Sequence, residues 1–195
     1  MESVKEKKQA TRNKMATTLA GLSTNKILEK TKAIENRLFE FANFLEAQTV
    51  LLYMNRFGEV NTIDIIKKCF DYEKTVALPG FNAKTHEMVL MKVDNVEDDL
   101  HPGSTGILEP DTSRCKVLPV ESIDIAIIPG IALDEKGSRL GSGHGYYDRL
   151  IPKLSITTRK VAIAFEEQIV QHVPTESHDK HVDIVITDQR IIFKI

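Results

Sequence analysis

The sequence has few cysteines, no long apolar run and no excess of either charge. Its two cysteines, Cys69 and Cys115, lie far apart without metal-ligand spacing, which favours free thiols over a disulfide or a zinc site. The sequence has neither a run of about 18 apolar residues nor the apolar core of a secretory signal. The formal net charge of −2 indicates no nucleic-acid partner. We therefore expect a cytoplasmic protein with no membrane or nucleic-acid partner.

Length and hydrophobic pattern predict one α/β domain over residues 1–195. A mainly parallel central sheet flanked by helices is expected, because predicted strands and helices alternate along the chain. Helices are predicted at 4–19, from a cap at Ser23 or Thr24 to 44, and at 62–70. Strands are predicted at 49–54, 75–78, 88–93, 123–128, 160–164, 182–187 and 190–193. An acidic connector through 99 and an ordered loop at 102–110 complete the pattern.

A glycine-rich segment, RLGSGHGYYD at 139–148, is the most informative part of the chain. Glycine reaches positive φ at little cost, so the backbone N–H groups around Gly141, Gly143 and Gly145 can form a concave anion-binding nest. A helix predicted at 143–150 would add the partial positive charge of its N-terminus. The pattern lacks a Walker lysine and the GxGxxG spacing. Spacing alone leaves a tight turn as an equal alternative, since turns use glycine for the same reason.

The surroundings of this segment favour phosphate binding. Arg139 offers a planar fork of donors that suits phosphate. The β-branched run at 123–128 reads as a buried strand, which places the segment beyond a carboxyl end in the sheet. Open α/β sheets bind ligands at that edge.

The complete string, preceded by Pro-Gly at 129–130 and an Asp-x-x-Gly turn at 134–137, resembles the 5-formyltetrahydrofolate cyclo-ligase family, also called methenyltetrahydrofolate synthetases. Further segments similar to the family occur in family order over nearly the whole chain. They are KQATR (8–12), YMNRFGEVNT (53–62), GILEP (106–110), AFEEQ (164–168), VP (173–174) and HDKHVD (178–183).

This resemblance implies a Rossmann-like α/β fold of the type shared with sugar-phosphate isomerases and CoA transferases. It implies ATP-dependent cyclisation of 5-formyltetrahydrofolate to 5,10-methenyltetrahydrofolate, with release of ADP and phosphate. ATP would phosphorylate the formyl oxygen, and N10 would then attack the formyl carbon. Mg²⁺ is the implied cofactor, the partners are small-molecule substrates, and the protein is expected to be a monomer or weak homodimer.

The resemblance assigns a nucleotide site and three catalytic residues, Arg139, His144 and Tyr147. His144 stands where relatives often carry glycine or a cation. From spacing alone, Lys8 and Arg12 would be read as a solvated helix face, but the family match places them on a phosphate. The implied ATP-binding residues are Lys8, Arg12, Arg139, Leu140, Gly141, Ser142, Gly143, His144, Gly145, Tyr146 and Tyr147.

The same resemblance assigns the metal and the folate. Asp148 and Asp179 match the family's metal positions, with Asp183 as a weaker candidate. By residue type alone these aspartates would be helix caps or surface groups, and the aromatic residues would be core or rim packing. The implied folate-binding residues are Tyr53, Met54, Phe57, Glu59, Tyr146 and Tyr147.

One position departs from the family. Gly80 and Phe81 follow Pro79 where relatives tend to carry a basic residue, and Lys84 is the candidate replacement.

Two other classes of function remain open at this point. A non-catalytic nucleotide or phosphate-binding module would keep Arg139 and the glycines without needing Glu59, Asp148 and Asp179 together. A sugar-phosphate isomerase or acyl-transfer enzyme of similar fold would need a dedicated base and no ATP.

Overall fold

The computed structural model describes residues 3–82, 84–85, 87–103 and 106–194. These residues form six α-helices: α1 (Val4–Ala20), α2 (Thr24–Glu40), α3 (Ala42–Glu46), α4 (Ile63–Asp71), α5 (Val96–Asp99) and α6 (Tyr146–Leu150). They also form twelve strands: β1 (Thr49–Leu51), β2 (Thr75–Asn82), β3 (Glu87–Val93), β4 (Leu100–Pro102), β5 (Leu108–Pro110), β6 (Lys116–Val117), β7 (Ile125–Ile127), β8 (Ala132–Leu133), β9 (Arg139–Leu140), β10 (Arg159–Ala164), β11 (Ile184–Thr187) and β12 (Ile191–Phe193).

Eight strands form one sheet in the order β12-β11-β10-β7-β1-β2-β3-β6. The five strands from β11 to β2 are parallel, whereas β12, β3 and β6 pair antiparallel at the two sides. Two small hairpins, β4–β5 and β8–β9, lie outside this sheet. The predicted α/β class with a mainly parallel sheet is confirmed.

The central strands are buried because apolar layers cover both faces of the sheet. Successive residues of β7 alternate between these layers, as the two-residue period of a strand requires. Ile125 and Ile127 belong to the core that contains the apolar residues of α2 and α4, and Ala126 belongs to the core that contains Leu150 of α6. No helix among the described residues has both the length and the apolar character to cross a membrane.

The second predicted helix is wrong in extent, because it ends four residues early. Phe41 has extended backbone angles (φ −77°, ψ 115°), which end α2 at Glu40, and α3 then starts at Ala42. Phe44 is fully buried, whereas Leu45, which continues the helical spacing of the preceding apolar residues, is 41% exposed. A change of helix direction at Phe41 therefore selects a different apolar residue for the core.

Other predicted boundaries also shift. The helix predicted at 143–150 begins only at Tyr146, because Gly143 (φ 102°) and Gly145 (φ 69°) have left-handed backbone angles. The loop predicted at 102–110 begins at the last residue of β4 and contains β5, with residues 104–105 outside the described residues. The acidic connector through 99 contains α5.

The β8–β9 hairpin is built on a turn that fixes Arg139 at the start of β9. Asp134 is buried and its Oδ1 accepts hydrogen bonds from Lys136 N (3.0 Å) and Ser138 N (2.9 Å). Gly137 adopts φ 77° at the tip and accepts a hydrogen bond from Val182 N (2.9 Å). A Cβ at Gly137 would lie 2.3 Å from the carbonyl oxygen of Val182.

We expect Gly137→Ala to destabilise the protein strongly. The left-handed backbone costs an alanine about 1–2 kcal/mol, and overlap with the Val182 carbonyl adds about 1–3 kcal/mol. Gly106→Ala is the matched control, because Gly106 has the same φ of 77° and, among the described residues other than its chain neighbours, no atom within 4 Å of its Cβ position. Urea unfolding measures both. Equal losses in the two variants would contradict the steric argument.

Candidate active site

A cavity of about 330 Å³ lies at the carboxyl end of the parallel strands. Tyr53 and Met54 follow β1 at this edge, and Pro129 follows β7. Helix α1, the segment after β9 and a late segment around residue 179 close the remaining sides. The lining residues are Lys5, Lys8, Arg12, Tyr53, Met54, Arg56, Glu59, Phe81, Ile107, Pro129, Arg139, Leu140, Gly141, Ser142, Gly143, Gly145, Tyr146, Tyr147, Asp148, Glu176, His178 and Asp179.

The glycine segment forms one wall and is held by arginine side chains. Arg12 Nε donates to the carbonyl oxygen of Gly141 (3.0 Å), which joins α1 to the loop. Gly143 and Gly145 use positive φ, and a Cβ on Gly141 would lie 3.1 Å from Arg139 Nη1. Glycine at these positions therefore permits both the turn and the close approach of guanidinium groups. Burial lowers the pKa of Arg12, with Asp179 opposing the shift.

Arg139 is the most buried cation of the cavity wall, with a side chain 3% exposed. Its Nη2 lies 2.7 Å from Asp148 Oδ1, which also accepts a hydrogen bond from Lys180 N (3.1 Å). Burial lowers the pKa of Arg139, and the Asp148 carboxylate opposes this shift. Arg139 Nε is buried and has no hydrogen-bond partner among the described residues. Asp148 thus holds the guanidinium in position, while its buried Nε–H group has no partner in the described part of the chain.

Two carboxylates face α1 from the late segment. Lys8 Nζ lies 2.6 Å from Asp179 Oδ2 and 2.8 Å from Glu176 Oε2. Burial disfavours both charged forms, but these hydrogen bonds outweigh it, so the pKa of Lys8 is raised and that of Asp179 is lowered. Glu176, His178 and Asp179 each offer one potential metal ligand, and these three atoms lie within 4.8 Å of one another.

The other end of the cavity is an aromatic pocket around Glu59. Glu59 Oε2 accepts a hydrogen bond from Arg56 N (2.8 Å), but burial raises the pKa of this carboxyl. Burial, reinforced by the Glu59 charge, also raises the pKa values of Tyr53 and Tyr147. Tyr147 Oη is buried without a hydrogen-bond partner in the described part of the chain. A ligand with polar N–H groups on a flat ring would satisfy such a pocket.

Phe81 and Tyr146 form an aromatic pair beside this pocket. Their ring centroids are 4.8 Å apart at an interplanar angle of 63°. Phe81 N donates to Glu109 Oε2 (3.1 Å), so the GILEP segment fixes the backbone of Phe81. The aromatic wall therefore depends on two segments that are distant in sequence.

The structure gathers most of the predicted site residues but not all of them. Phe57 is 83% exposed, and His144 is also exposed; neither belongs to the described residues that line the cavity. Asp183 pairs with Lys160 Nζ (3.1 Å) and is likewise outside the lining. Lys84 is exposed in the β2–β3 turn, away from the lining residues. The remaining predicted nucleotide, folate and metal residues all border the cavity.

Sequence reasoning missed several lining residues. They are Lys5, Arg56, Phe81, Ile107, Pro129, Glu176 and His178. Arg56 and Ile107 lie inside segments that resemble the family. Their positions beside motif residues could have indicated that they line the site. Glu176 and His178 form the sequence ESHD with Asp179. That run of oxygen and nitrogen ligands next to a predicted metal residue could have indicated them.

Comparison with known proteins decides the family. The sequence model of the 5-formyltetrahydrofolate cyclo-ligase family matches residues 4–188. The chain belongs to this family. The resemblance seen in the sequence is confirmed.

Two cyclo-ligase relatives match over nearly their whole length. The probable 5-formyltetrahydrofolate cyclo-ligase of Caenorhabditis elegans is 30% identical, with 99% of this chain and 98% of the relative covered. The probable 5-formyltetrahydrofolate cyclo-ligase of Schizosaccharomyces pombe is 31% identical, with 97% and 98% covered. The NMR structure of Aquifex aeolicus 5,10-methenyltetrahydrofolate synthetase superimposes with a TM-score of 0.84 at 28% identity, covering 95% of this chain and 92% of that one.

Proposed function

We propose that the cavity catalyses the ATP-dependent cyclisation of 5-formyltetrahydrofolate to 5,10-methenyltetrahydrofolate, releasing ADP and phosphate. Family membership supports the activity and ATP as co-substrate. One observation carries the assignment to this cavity: a glycine loop flanked by cations and a buried carboxylate pocket line the same cavity. The reaction needs both sites, because it transfers a phosphoryl group from a triphosphate to a reduced pterin derivative.

The nucleotide belongs on the cationic side of the cavity. We place its phosphates among Lys8, Arg12 and Arg139, against the backbone of residues 140–147. Arg139 lines the cavity and is held by Asp148, and a fixed cationic donor stabilises developing phosphoryl charge without reorganisation. His144 is exposed, so its proposed role is limited to contact with the outer part of the nucleotide.

The folate belongs in the aromatic pocket. A carboxylate such as that of Glu59 can accept paired hydrogen bonds from the amino group and ring N–H of a reduced pterin. Tyr53 and Met54 are buried beside it and can pack on the flat ring. Tyr146 and Tyr147 lie between this pocket and the glycine loop, and we place the formyl group near them.

The chemistry follows from the juxtaposition of the two substrates. The formyl oxygen attacks the γ-phosphorus and ADP leaves, which converts a poor leaving group into a phosphate ester. N10 then attacks the formyl carbon, loses its proton, and the phosphate departs with the original oxygen. The protein's main contributions are the alignment of the two substrates and stabilisation of the transferring phosphoryl group by Arg139.

The acidic side of the cavity fits Mg²⁺, which prefers hard oxygen ligands and substrate phosphates. Asp179 and Glu176 supply carboxylate oxygens there. Asp148 uses Oδ1 for its hydrogen bonds from Arg139 and Lys180, and we propose Oδ2 for the metal. When bound, the ion would neutralise charge on the nucleotide phosphates.

Asp179→Asn is expected to raise the Mg²⁺ concentration needed for half-maximal activity about tenfold or more, because changes around a bound metal commonly weaken it by that factor. Asp183→Asn is the control, since Asp183 pairs with Lys160 outside the cavity. The measurement is a magnesium titration at fixed ATP. Superimposable titrations of Asp179→Asn and the wild type would remove Asp179 from the metal site.

We also propose that a single domain over residues 1–195 carries this site and acts as a monomer or weak homodimer in the cytoplasm. The lining residues from Lys5 to Asp179 support a site built from one chain. Both cysteines are buried and free, in keeping with a reducing compartment. Sedimentation across a concentration series tests the oligomeric state.

A direct assay tests the function. Purified protein is incubated with 5-formyltetrahydrofolate and Mg-ATP, and the absorbance of the methenyl product is followed. Product should appear only when ATP is present. Folded protein that forms no product would refute the proposal, and product without ATP would point to a different reaction.

A further inference from the structure

Gln168 is a fully buried polar residue next to the cavity whose function is not explained by ligand contact. It ends the 3₁₀ turn Glu166–Gln168 that follows β10. Its Nε2 lies 3.0 Å from the carbonyl oxygens of both Gly130 and Ile131 and 3.3 Å from that of Gly58. Its Oε1 accepts a hydrogen bond from Phe165 N (2.8 Å). Every polar atom of the side chain is therefore engaged with the backbone.

The three carbonyl groups belong to the two halves of the cavity. Gly58 directly precedes Glu59, the carboxylate of the folate pocket. Gly130 and Ile131 follow Pro129, and Ile131 N donates to the carbonyl oxygen of Leu140 (2.7 Å) in the strand that carries Arg139. One side-chain amide thus connects the folate-side loop to the nucleotide-side hairpin. The residues after Gln168 strengthen its connection to the nucleotide-side hairpin, because Val170 N donates to Leu133 O (2.8 Å).

The position of Gln168 requires a side chain that both donates and accepts hydrogen bonds. Carbonyl oxygens repel one another, so bringing those of Gly58, Gly130 and Ile131 together requires a donor between them. A primary amide supplies two N–H donors and an acceptor in one plane. Phe165 N fixes the orientation of the amide, since the flipped amide would direct oxygen at three carbonyls. A buried site of this kind is costly to leave unsatisfied.

We infer that Gln168 is a positioning residue that sets the separation between the folate carboxylate Glu59 and the phosphate-binding Arg139. The inference rests on the proposed function, because it assumes that the two substrates occupy these two sides. Phosphoryl transfer between substrates requires their relative alignment, whereas the affinity for each substrate alone depends on its own side of the cavity. Loss of Gln168 should therefore reduce turnover more than binding.

The test uses Gln168→Met and Gln168→Glu. Methionine has similar length and no amide, whereas glutamate keeps an acceptor for Phe165 N and loses the donors to the three carbonyls. We expect kcat to fall about a hundredfold, with the dissociation constant of each substrate alone, measured by calorimetry, changed by less than about threefold. Thr158→Val is the control. It removes a buried hydrogen bond to Ile123 O (2.7 Å) at the opposite end of β10.

Three outcomes would overturn the inference. One is a folded Gln168 variant with kcat within about threefold of the wild type. Another is a loss of turnover that is matched by weaker binding of one substrate. The third is a Thr158→Val variant that loses as much Tm and as much kcat as the Gln168 variants. Wild-type protein that makes no methenyl product would instead refute the proposed function.

An NMR measurement on the wild type covers the case in which the variants do not fold. The side-chain amide signal of Gln168 should exchange slowly with solvent and shift when 5-formyltetrahydrofolate alone is added, and also when ATP alone is added. A signal that responds to only one substrate, or to neither, would contradict the positioning role.

Discussion

Arg139→Ala should lower kcat by about three orders of magnitude, the lower end of the range for arginines that stabilise phosphoryl transfer. Arg139 is held by Asp148 at 2.7 Å and has a buried donor without a partner among the described residues. Alanine removes the charge and the fork together. Arg139→Lys retains the charge but not the planar donors, so we expect it to recover only part of the activity.

Arg149→Ala is the matched control. Arg149 Nη1 also contacts the glycine loop, through the carbonyl oxygen of His144 (3.0 Å), but Arg149 is not among the described cavity-lining residues. Its loss should change kcat by less than about tenfold. The methenyl assay gives kcat, and calorimetry gives the ATP dissociation constant. Equal losses in the Arg139 and Arg149 variants would mean that loop integrity, rather than the Arg139 guanidinium, determines the rate.

Glu59→Gln should raise the KM for 5-formyltetrahydrofolate about a hundredfold, equivalent to about 2.8 kcal/mol, while ATP binding changes little. Glutamine keeps the shape of the side chain but replaces two charge-assisted acceptors with one neutral acceptor and one donor. The measurement is the KM for each substrate with the other saturating. Tyr72→Phe, at an exposed surface position, is the control. An equal rise in both KM values would contradict the division of the cavity into two sides.

The same substitution should stabilise the ligand-free protein at neutral pH. Burial raises the pKa of Glu59 above its ordinary value of 4.5, so the folded state holds this proton more tightly than the unfolded chain. Protonation of Glu59 therefore stabilises the folded state fully below pH 4.5, and this contribution is lost as the pH rises through the raised pKa of the folded state. Tm of Glu59→Gln should therefore exceed that of the wild type at pH 7, with a smaller difference at acidic pH. A lower Tm at pH 7 would contradict this explanation.

The sequence contained enough information for the sheet and its parallel centre. Strand β7 is apolar throughout, β11 is apolar up to Thr187, and both are buried; such runs are typical of strands covered on both faces. The break at Phe41 could not be predicted, because 24–44 keeps a helical apolar pattern across it. Only tertiary packing decides that Phe44, and not Leu45, enters the core.

The site residues that lie close together in the sequence could be predicted. The glycine segment places Arg139 and Asp148 within one turn region, and the resemblance identified Glu59. The partners of Lys8 were not predictable as partners, because Glu176 and Asp179 are 168 and 171 residues away. Phe57 is in the matched segment, yet its ring is 83% exposed. A motif match therefore located the loop without determining which of its side chains turns inward.

The contacts of α1 have a consequence for how the protein acquires its activity. Lys8 contacts Asp179 and Arg12 contacts Gly141, so helix α1 must meet segments 171 and 129 residues later before the proposed triphosphate cradle exists. During synthesis, these contacts cannot form until the chain has been made past Asp179. Nucleotide capture should accordingly be among the last properties to appear during synthesis or refolding, after most of the interior has already formed.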